Sequence, residues 1–130
     1  MVKKKSVHQL RIEEIVADPS LIGISEKIDA ELEFFLFKKG SHYDRDYAID
    51  VLITSNNGLY VVEYKCFGSK SNTNCAKKQL IKAEVGLRRM HRPANHFLYV
   101  HDHFVVHELM NGIWCPKYEN FLDDKIIELD

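Results

Sequence analysis

Residues 49–65 constrain the fold of this chain more than any other segment. Two apolar runs of strand length flank an Asn57-Gly58 step, and such a step between alternating hydrophobic residues is a strong signal for a β-hairpin. A hairpin loop of two or four residues places Asp50 opposite Glu63 or opposite Lys65. Because side chains alternate along a strand and opposed residues share a face, all three charged groups are predicted to lie on one side of the hairpin.

The face that carries these charges is also apolar, since Leu52, Leu59 and Val61 share it. The opposite face is apolar as well, and a hairpin of this kind is normally covered on both sides. Two carboxylates and an ammonium in such surroundings require partners. Lys65 offsets one carboxylate, and a hard divalent cation such as Mg²⁺, which one or two carboxylates typically hold, would neutralise the second. An ion-pair cluster at the edge of a sheet is the alternative.

The chain of 130 residues is long enough for one domain with a real core. We assign residues 21–130 to this domain and residues 1–20 to a basic N-terminal arm with a short helix before Asp18. The net charge of −1 at pH 7 gives no overall attraction to nucleic acid, so any such surface must come from local clustering. No apolar run approaches the ~18 residues of a membrane span. The three widely spaced cysteines favour a reducing cytoplasm over a disulfide framework.

Capping and turn signals predict the other elements. A helix is expected over residues 25–39, from an N-cap serine to a basic turn before a glycine, and a second over residues 75–91. A short helix over residues 118–124 would close the chain. The predicted fold class is α/β, a small mixed sheet with helices on both faces in α-β-β-α-β-β order. The predicted strands are residues 47–54, 59–66, 97–100 and 104–109.

The chain resembles the PD-(D/E)xK nuclease superfamily, whose signature is an acidic residue on one strand, (D/E)-x-K on the next, and a helix bearing Gln or Lys. The matching residues are Asp50, Glu63-Tyr64-Lys65 and Lys77-Lys78-Gln79. Within the superfamily, the chain is most similar to the nuclease-related (NERD) branch. The shared features are an isoleucine-aspartate strand, a glycine turn, the E-x-K strand and a following glycine, here Gly68. The resemblance covers residues 25–100, and Ile49 stands where the signature names proline. It implies a restriction-endonuclease-like core.

The resemblance implies a nuclease that hydrolyses DNA phosphodiester bonds with Mg²⁺, for which Mn²⁺ is an expected substitute. Asp50 and Glu63 would be metal ligands, with the Tyr64 backbone carbonyl as a third. Lys65 would position the attacking water or stabilise negative charge, and a simple counter-ion is the alternative. Gln79 on the second helix is an expected catalytic residue, with a solvent-exposed glutamine as its alternative.

The superfamily often takes a further acidic ligand from its first helix. Within the predicted helix, Glu31 lies in the apolar stripe and is the physical choice, whereas family spacing back from Gly40 favours Asp29. A solvated helix charge is the alternative for both residues. Which of the two acids lines the site stays open at the level of the sequence.

The most basic part of the chain consists of the second helix and the loop between the hairpin and that helix. Phosphates would be bound there. The residues expected to bind nucleic acid are Lys70, Lys77, Lys78, Lys82, Arg88 and Arg89. DNA is the expected partner, RNA is the alternative substrate, and a homodimer or a partner protein would select among substrates. Two other functions compete with this one. The first is a nuclease that is specific for RNA or for junctions and acts as a dimer. The second is a non-enzymatic nucleic-acid-binding or assembly module with a nuclease-like fold.

Three histidines near the C-terminus raise the alternative of a zinc site. On a strand, His101, His103 and His107 share a face, and Cys115 follows. No second ligand pair stands at the spacing of a zinc finger. A polar strand face is therefore the prediction for these residues.

Overall fold

The computed structural model describes residues 5–36 and 48–119. Its six strands form one sheet in the order β1-β2-β3-β4-β5-β6. Neighbouring strands are antiparallel except β3 and β4, which run parallel and are joined through a helical crossover. The elements are α1 (Val7–Ala17), a 3₁₀ turn (Pro19–Ile22), β1 (Lys27–Phe35), β2 (Ala48–Ser55), β3 (Gly58–Lys65), α2 (Lys70–Arg89), β4 (His96–His101), β5 (Val105–Met110) and β6 (Ile113–Glu119).

The predicted fold class, a restriction-endonuclease-like core in α-β-β-α-β-β order, was wrong. Residues 25–39, expected to begin the core as a helix, contain strand β1. From Ile28 to Phe34 apolar and acidic residues alternate strictly, which is the period of a strand, and pairing with β2 outweighs the cap signal of Ser25. With β6 as a third strand after α2, the described chain is a strand-rich, six-stranded mixed sheet with two helices.

The structure confirms the hairpin and shows how its register is fixed. The turn consists of Asn56–Asn57, and Ser55 pairs with Gly58. Gly58 has a φ of 120°. A side chain at this position would collide with Asn95, whose Oδ1 accepts the Leu59 N–H at 2.8 Å. The turn is thereby tied to the start of β4, and the positions of the charged residues at the far end of the hairpin follow from it.

Apolar side chains are buried on both faces of the sheet. One cluster contains Ile12 and Ile15 of α1, and the other contains Leu80 and Leu87 of α2. Successive residues of β2 and β3 enter different clusters. Val51, Ile53 and Val62 join the α1 cluster, whereas Leu52 and Val61 join the α2 cluster.

The helix expected before Asp18 is α1. Its N-cap is Ser6, whose Oγ accepts the Gln9 N–H at 3.1 Å, and its residues Ile12 and Ile15 have 0% exposure. The N-terminal segment therefore contributes to the core as well as to the surface. No helix in the described part of the chain is both long and apolar enough to cross a membrane.

The ends of two other predicted helices differ from expectation. Helix α2 begins at Lys70 rather than near residue 75, because the Ser69 Oγ accepts the Asn72 N–H at 3.1 Å and caps a helix within the polar loop. Of the closing helix predicted at 118–124, the first two residues belong to β6. The remainder lies outside the described residues.

Truncating Ile12 to alanine tests whether α1 is part of the core. Because this side chain is fully buried, Ile12→Ala should lower the free energy of unfolding by about 2–5 kcal/mol in urea denaturation. Val7→Ala, on the same helix and 53% exposed, is the matched control and should change it by less than about 0.5 kcal/mol. A small effect for both variants would show that α1 does not pack against the sheet.

Candidate functional site

Strands β2 and β3 part at the end of the hairpin remote from its turn. The ladder between them ends at the Val51–Val62 pair, and two carboxylates supply the contacts beyond it. The Tyr64 N–H donates to Asp50 Oδ2 at 2.8 Å, and the Asp50 N–H donates to Glu63 Oε2 at 3.4 Å. Each carboxylate therefore accepts a backbone N–H from the opposite strand. The structure brings Asp50 and Glu63 together through this exchange.

Asp50 departs from simple strand alternation. Ile49 packs with Leu52 in the α2 cluster, although alternation assigns these two residues to opposite faces. The carboxylate of Asp50 turns towards α1, whereas Glu63 is 1% exposed and follows Val61 on the α2 side. The two acidic residues consequently both lie at the split in the hairpin, with their carboxylates directed to different sides of the sheet.

His8 of α1 lies against Asp50. Its Nε2 is 3.2 Å from Asp50 Oδ2, and its ring packs edge-on against Tyr64 with 5.8 Å between centroids. The hydrogen bond to Asp50 raises the pKa of His8 above its usual value, while burial and the charge of Lys65 oppose this rise. The ion pair therefore stabilises the fold fully below the usual pKa of about 6.5. That contribution is lost as the pH rises through the raised pKa.

Lys65 ends β3 on the approach to α2. Its Nζ lies 3.7 Å from Cys75 Sγ, and its charge acts on His8, so the ammonium is within electrostatic reach of the α1 side of the site. Gln79 is one helical turn beyond Cys75, and its Oε1 is buried. Helix α2 thus places the predicted glutamine on the flank that faces the end of β3.

The structure does not bring Glu31 to this group. The helical geometry that selected Glu31 does not apply to a strand, and its carboxylate lies 3.2 Å from an Arg92 nitrogen. Asp29, the alternative, is exposed on the same strand. Within the part of the chain that the structure describes, no three His, Cys, Asp or Glu side chains come together as a metal site. The geometric core of the candidate site is therefore the pair Asp50 and Glu63 with Lys65.

Two of the six basic residues on α2 lie close to this core. Lys70 and Lys78 line an open groove of about 610 Å³ that also contains Cys75. Because Cys75 is the residue that Lys65 contacts, the groove borders the lysine of the E-x-K motif. Positive charge therefore continues from the end of β3 along the first turns of α2.

The other four basic residues of α2 divide between two flanks. Lys77 donates to a backbone carbonyl in the β5–β6 turn at 2.9 Å. Arg88 pairs with a glutamate one turn earlier at 2.9 Å. Lys82 and Arg89 fall on the same flank as Lys78 by helical periodicity. Lys77 therefore contacts the β5–β6 turn, whereas Lys78, Lys82 and Arg89 share the other flank of α2.

A histidine pair borders the site on β4 and β5. His101 pairs in register with Lys65 across the parallel β3–β4 boundary. Its Nε2 is 3.1 Å from His107 Nε2, and its Nδ1 is 2.7 Å from an Asp102 oxygen. His103 lies in the turn between the two strands and is not part of the pair. The sequence did not predict that His101 adjoins Lys65, because the contact depends on the pairing of two strands separated by α2.

Comparison with models of known protein families and with curated protein sequences gave no match for this chain.

Replacing Asp50 with asparagine should lower the pKa of His8, because the substitution removes the negative charge and the strongest hydrogen-bond acceptor that raise it. The measurement is an NMR titration of the His8 ring protons. Asp29→Asn, an exposed carboxylate on β1, is the control and should leave the pKa of His8 unchanged. The same pKa in the Asp50→Asn and unmodified proteins would show that the His8–Asp50 contact does not form in solution.

Proposed function

We propose that this protein is a metal-dependent nuclease that hydrolyses DNA phosphodiester bonds, with Asp50 and Glu63 as metal ligands and Lys65 as the catalytic lysine. The observation that carries the proposal is that Asp50 and Glu63 each accept a backbone N–H from the opposite strand where β2 and β3 part, with Lys65 two residues farther along β3. Acid, acid and lysine stand in the order of the PD-(D/E)xK signature that the sequence resembles. The proposal rests on these local features and not on the overall fold class.

The donor atoms fit a hard divalent cation. Asp50 and Glu63 offer carboxylate oxygens within one hydrogen-bonded unit, and Glu63 is 1% exposed. Two acidic groups on neighbouring strands, one of them buried, favour a compensating cation. Mg²⁺ commonly binds one or two carboxylates and completes its shell with waters and phosphate oxygens, so two protein carboxylates suffice. When bound there, the ion would supply Lewis acidity and an activated water.

The surrounding residues orient the acids. The Tyr64 N–H fixes Asp50 Oδ2 at 2.8 Å, so this carboxylate is positioned before any substrate arrives. His8 contacts the same oxygen from α1 and is a positioning residue. Lys65, on the α2 side, would stabilise negative charge as it develops on the phosphate oxygens. We assign Gln79 to the same side, where it would hold the substrate or the water by hydrogen bonding.

Nucleic acid would approach along the first turns of α2. Lys70 and Lys78 in the groove next to Cys75 would bind backbone phosphates of the nucleic acid. These contacts position a polyanion without reading its sequence. We place the protein in the cytoplasm, because Cys66, Cys75 and Cys115 are all free thiols.

Lys65→Ala should reduce Mg²⁺-dependent DNA cleavage at least about 100-fold, because it removes the charge that stabilises the transition state. Asp50→Asn and Glu63→Gln should abolish cleavage. The measurement is cutting of linear duplex, single-stranded, nicked and four-way-junction DNAs with Mg²⁺, with Mn²⁺ and with EDTA. Lys27→Ala is the matched control, because Lys27 pairs with Ser55 at the turn end of the hairpin, remote from Lys65. It should cut normally.

Cleavage that persists in EDTA, or that is equal in the Lys65→Ala and unmodified proteins, would contradict the proposal. DNA that is bound but never cut would favour the non-enzymatic binding module. Circular dichroism of each variant distinguishes a loss of chemistry from a loss of folding.

A further inference from the structure

An aromatic ring is exposed to solvent two residues beyond Lys65. Phe67 is 70% exposed, more than any other large apolar side chain among the described residues. It lies in the link of residues 66–69 between β3 and α2. A ring in this position is accessible to a ligand bound at the candidate active site.

The backbone around this ring is anchored on both sides. The Phe67 carbonyl accepts a hydrogen bond from Asn72 Nδ2 at 2.8 Å. The Gly68 N–H donates to Asp102 Oδ2 at 3.0 Å, and the Asp102 N–H donates to the Cys66 carbonyl at 3.2 Å. The phenyl ring is therefore exposed although the backbone that carries it is held in place.

Close contact with β4 fixes the link further. A Cβ atom at Gly68 would lie 2.5 Å from His101 Nδ1, so only glycine permits this approach. The His101 ring is in turn hydrogen-bonded to Asp102 at 2.7 Å. The link between β3 and α2 thus packs directly against the end of β4, which limits the positions that the neighbouring Phe67 ring can occupy.

The charges next to Phe67 are those to which we assign phosphate binding. Lys65 precedes it by two residues, Lys70 follows it by three, and Lys78 shares the groove of Lys70. The matching ligand is a polyanion that also presents a flat π surface, which is the combination found in single-stranded nucleic acid. Two residues of chain span at most about 7 Å. A base on Phe67 would therefore belong to the same short stretch of the strand as the phosphate at Lys65.

We infer that Phe67 is a stacking platform for an unpaired base, and that the substrate of the site is single-stranded DNA. In a duplex, both faces of each base within the helix are covered by its neighbours, so the Phe67 ring gains no such contact there. The inference rests on the proposed function for the identity of the ligand as DNA. It extends that proposal by naming the form of DNA that is bound.

The test is binding of a fluorescent single-stranded oligonucleotide and of its blunt duplex, followed by anisotropy in EDTA so that no metal-dependent cutting occurs. Phe67→Ala should weaken binding of the single strand about tenfold or more, because stacking of a base on an aromatic ring contributes on that order. Phe67→Trp should retain binding, and Phe67→Leu, which is apolar without a π face, should behave like Phe67→Ala. Binding of the duplex should be the same in all four proteins.

Ile113→Ala on β6 is the matched control, because Ile113 is 65% exposed and apolar but remote in sequence from the link. It should bind both oligonucleotides normally. Single-strand binding by Phe67→Ala or Phe67→Leu that equals that of the unmodified protein would overturn the inference, as would the absence of any binding. If the single strand binds through Phe67 but Mg²⁺ produces no cutting of any DNA, the nuclease proposal fails and the stacking platform stands.

Discussion

Two hydrogen bonds from backbone to carboxylate, made where the β2–β3 ladder stops, hold the candidate site together. Buried backbone N–H groups need acceptors, and here Asp50 accepts from Tyr64 while Glu63 accepts from Asp50. Acidic groups therefore accept the backbone hydrogen bonds at this end of the hairpin, and one of these groups, Glu63, is 1% exposed. Because negative charge in such a place requires compensation, the surrounding elements contribute His8 from α1 and Lys65 from the end of β3.

The elements that converge on this split each contribute one chemical property. Helix α1 supplies the histidine against Asp50, and β3 supplies Glu63 and the lysine. Helix α2 supplies a basic groove at its first turns, and the link before it supplies an exposed ring. The β3–α2–β4 crossover connects these contributions, since it places the start of α2 and the end of β4 on either side of the link. The acidic pair, the basic groove and the exposed ring are thus supplied by neighbouring elements of the chain.

The sequence predicted the hairpin and the order of Asp50, Glu63 and Lys65, because turn chemistry and strand alternation are local properties. It did not predict β1, because Ser25 and the glycine after residue 39 are typical of the two ends of a helix. These end signals outweighed the strict alternation of apolar and acidic residues between them, which is typical of a strand. That error also selected Glu31, whose carboxylate contacts Arg92 instead. His8 could not be found from the sequence, because it is 42 residues from Asp50 and no short spacing signals the contact.

The most direct test of the central claim, that Asp50 and Glu63 together bind a divalent cation, is Mn²⁺ binding followed by electron paramagnetic resonance of the free ion. The account predicts that the unmodified protein and Lys65→Ala both bind Mn²⁺, and that Glu63→Gln and Asp50→Asn bind it at least about tenfold more weakly. Equal binding by Glu63→Gln, Asp50→Asn and the unmodified protein, or no binding by any of them, would contradict it.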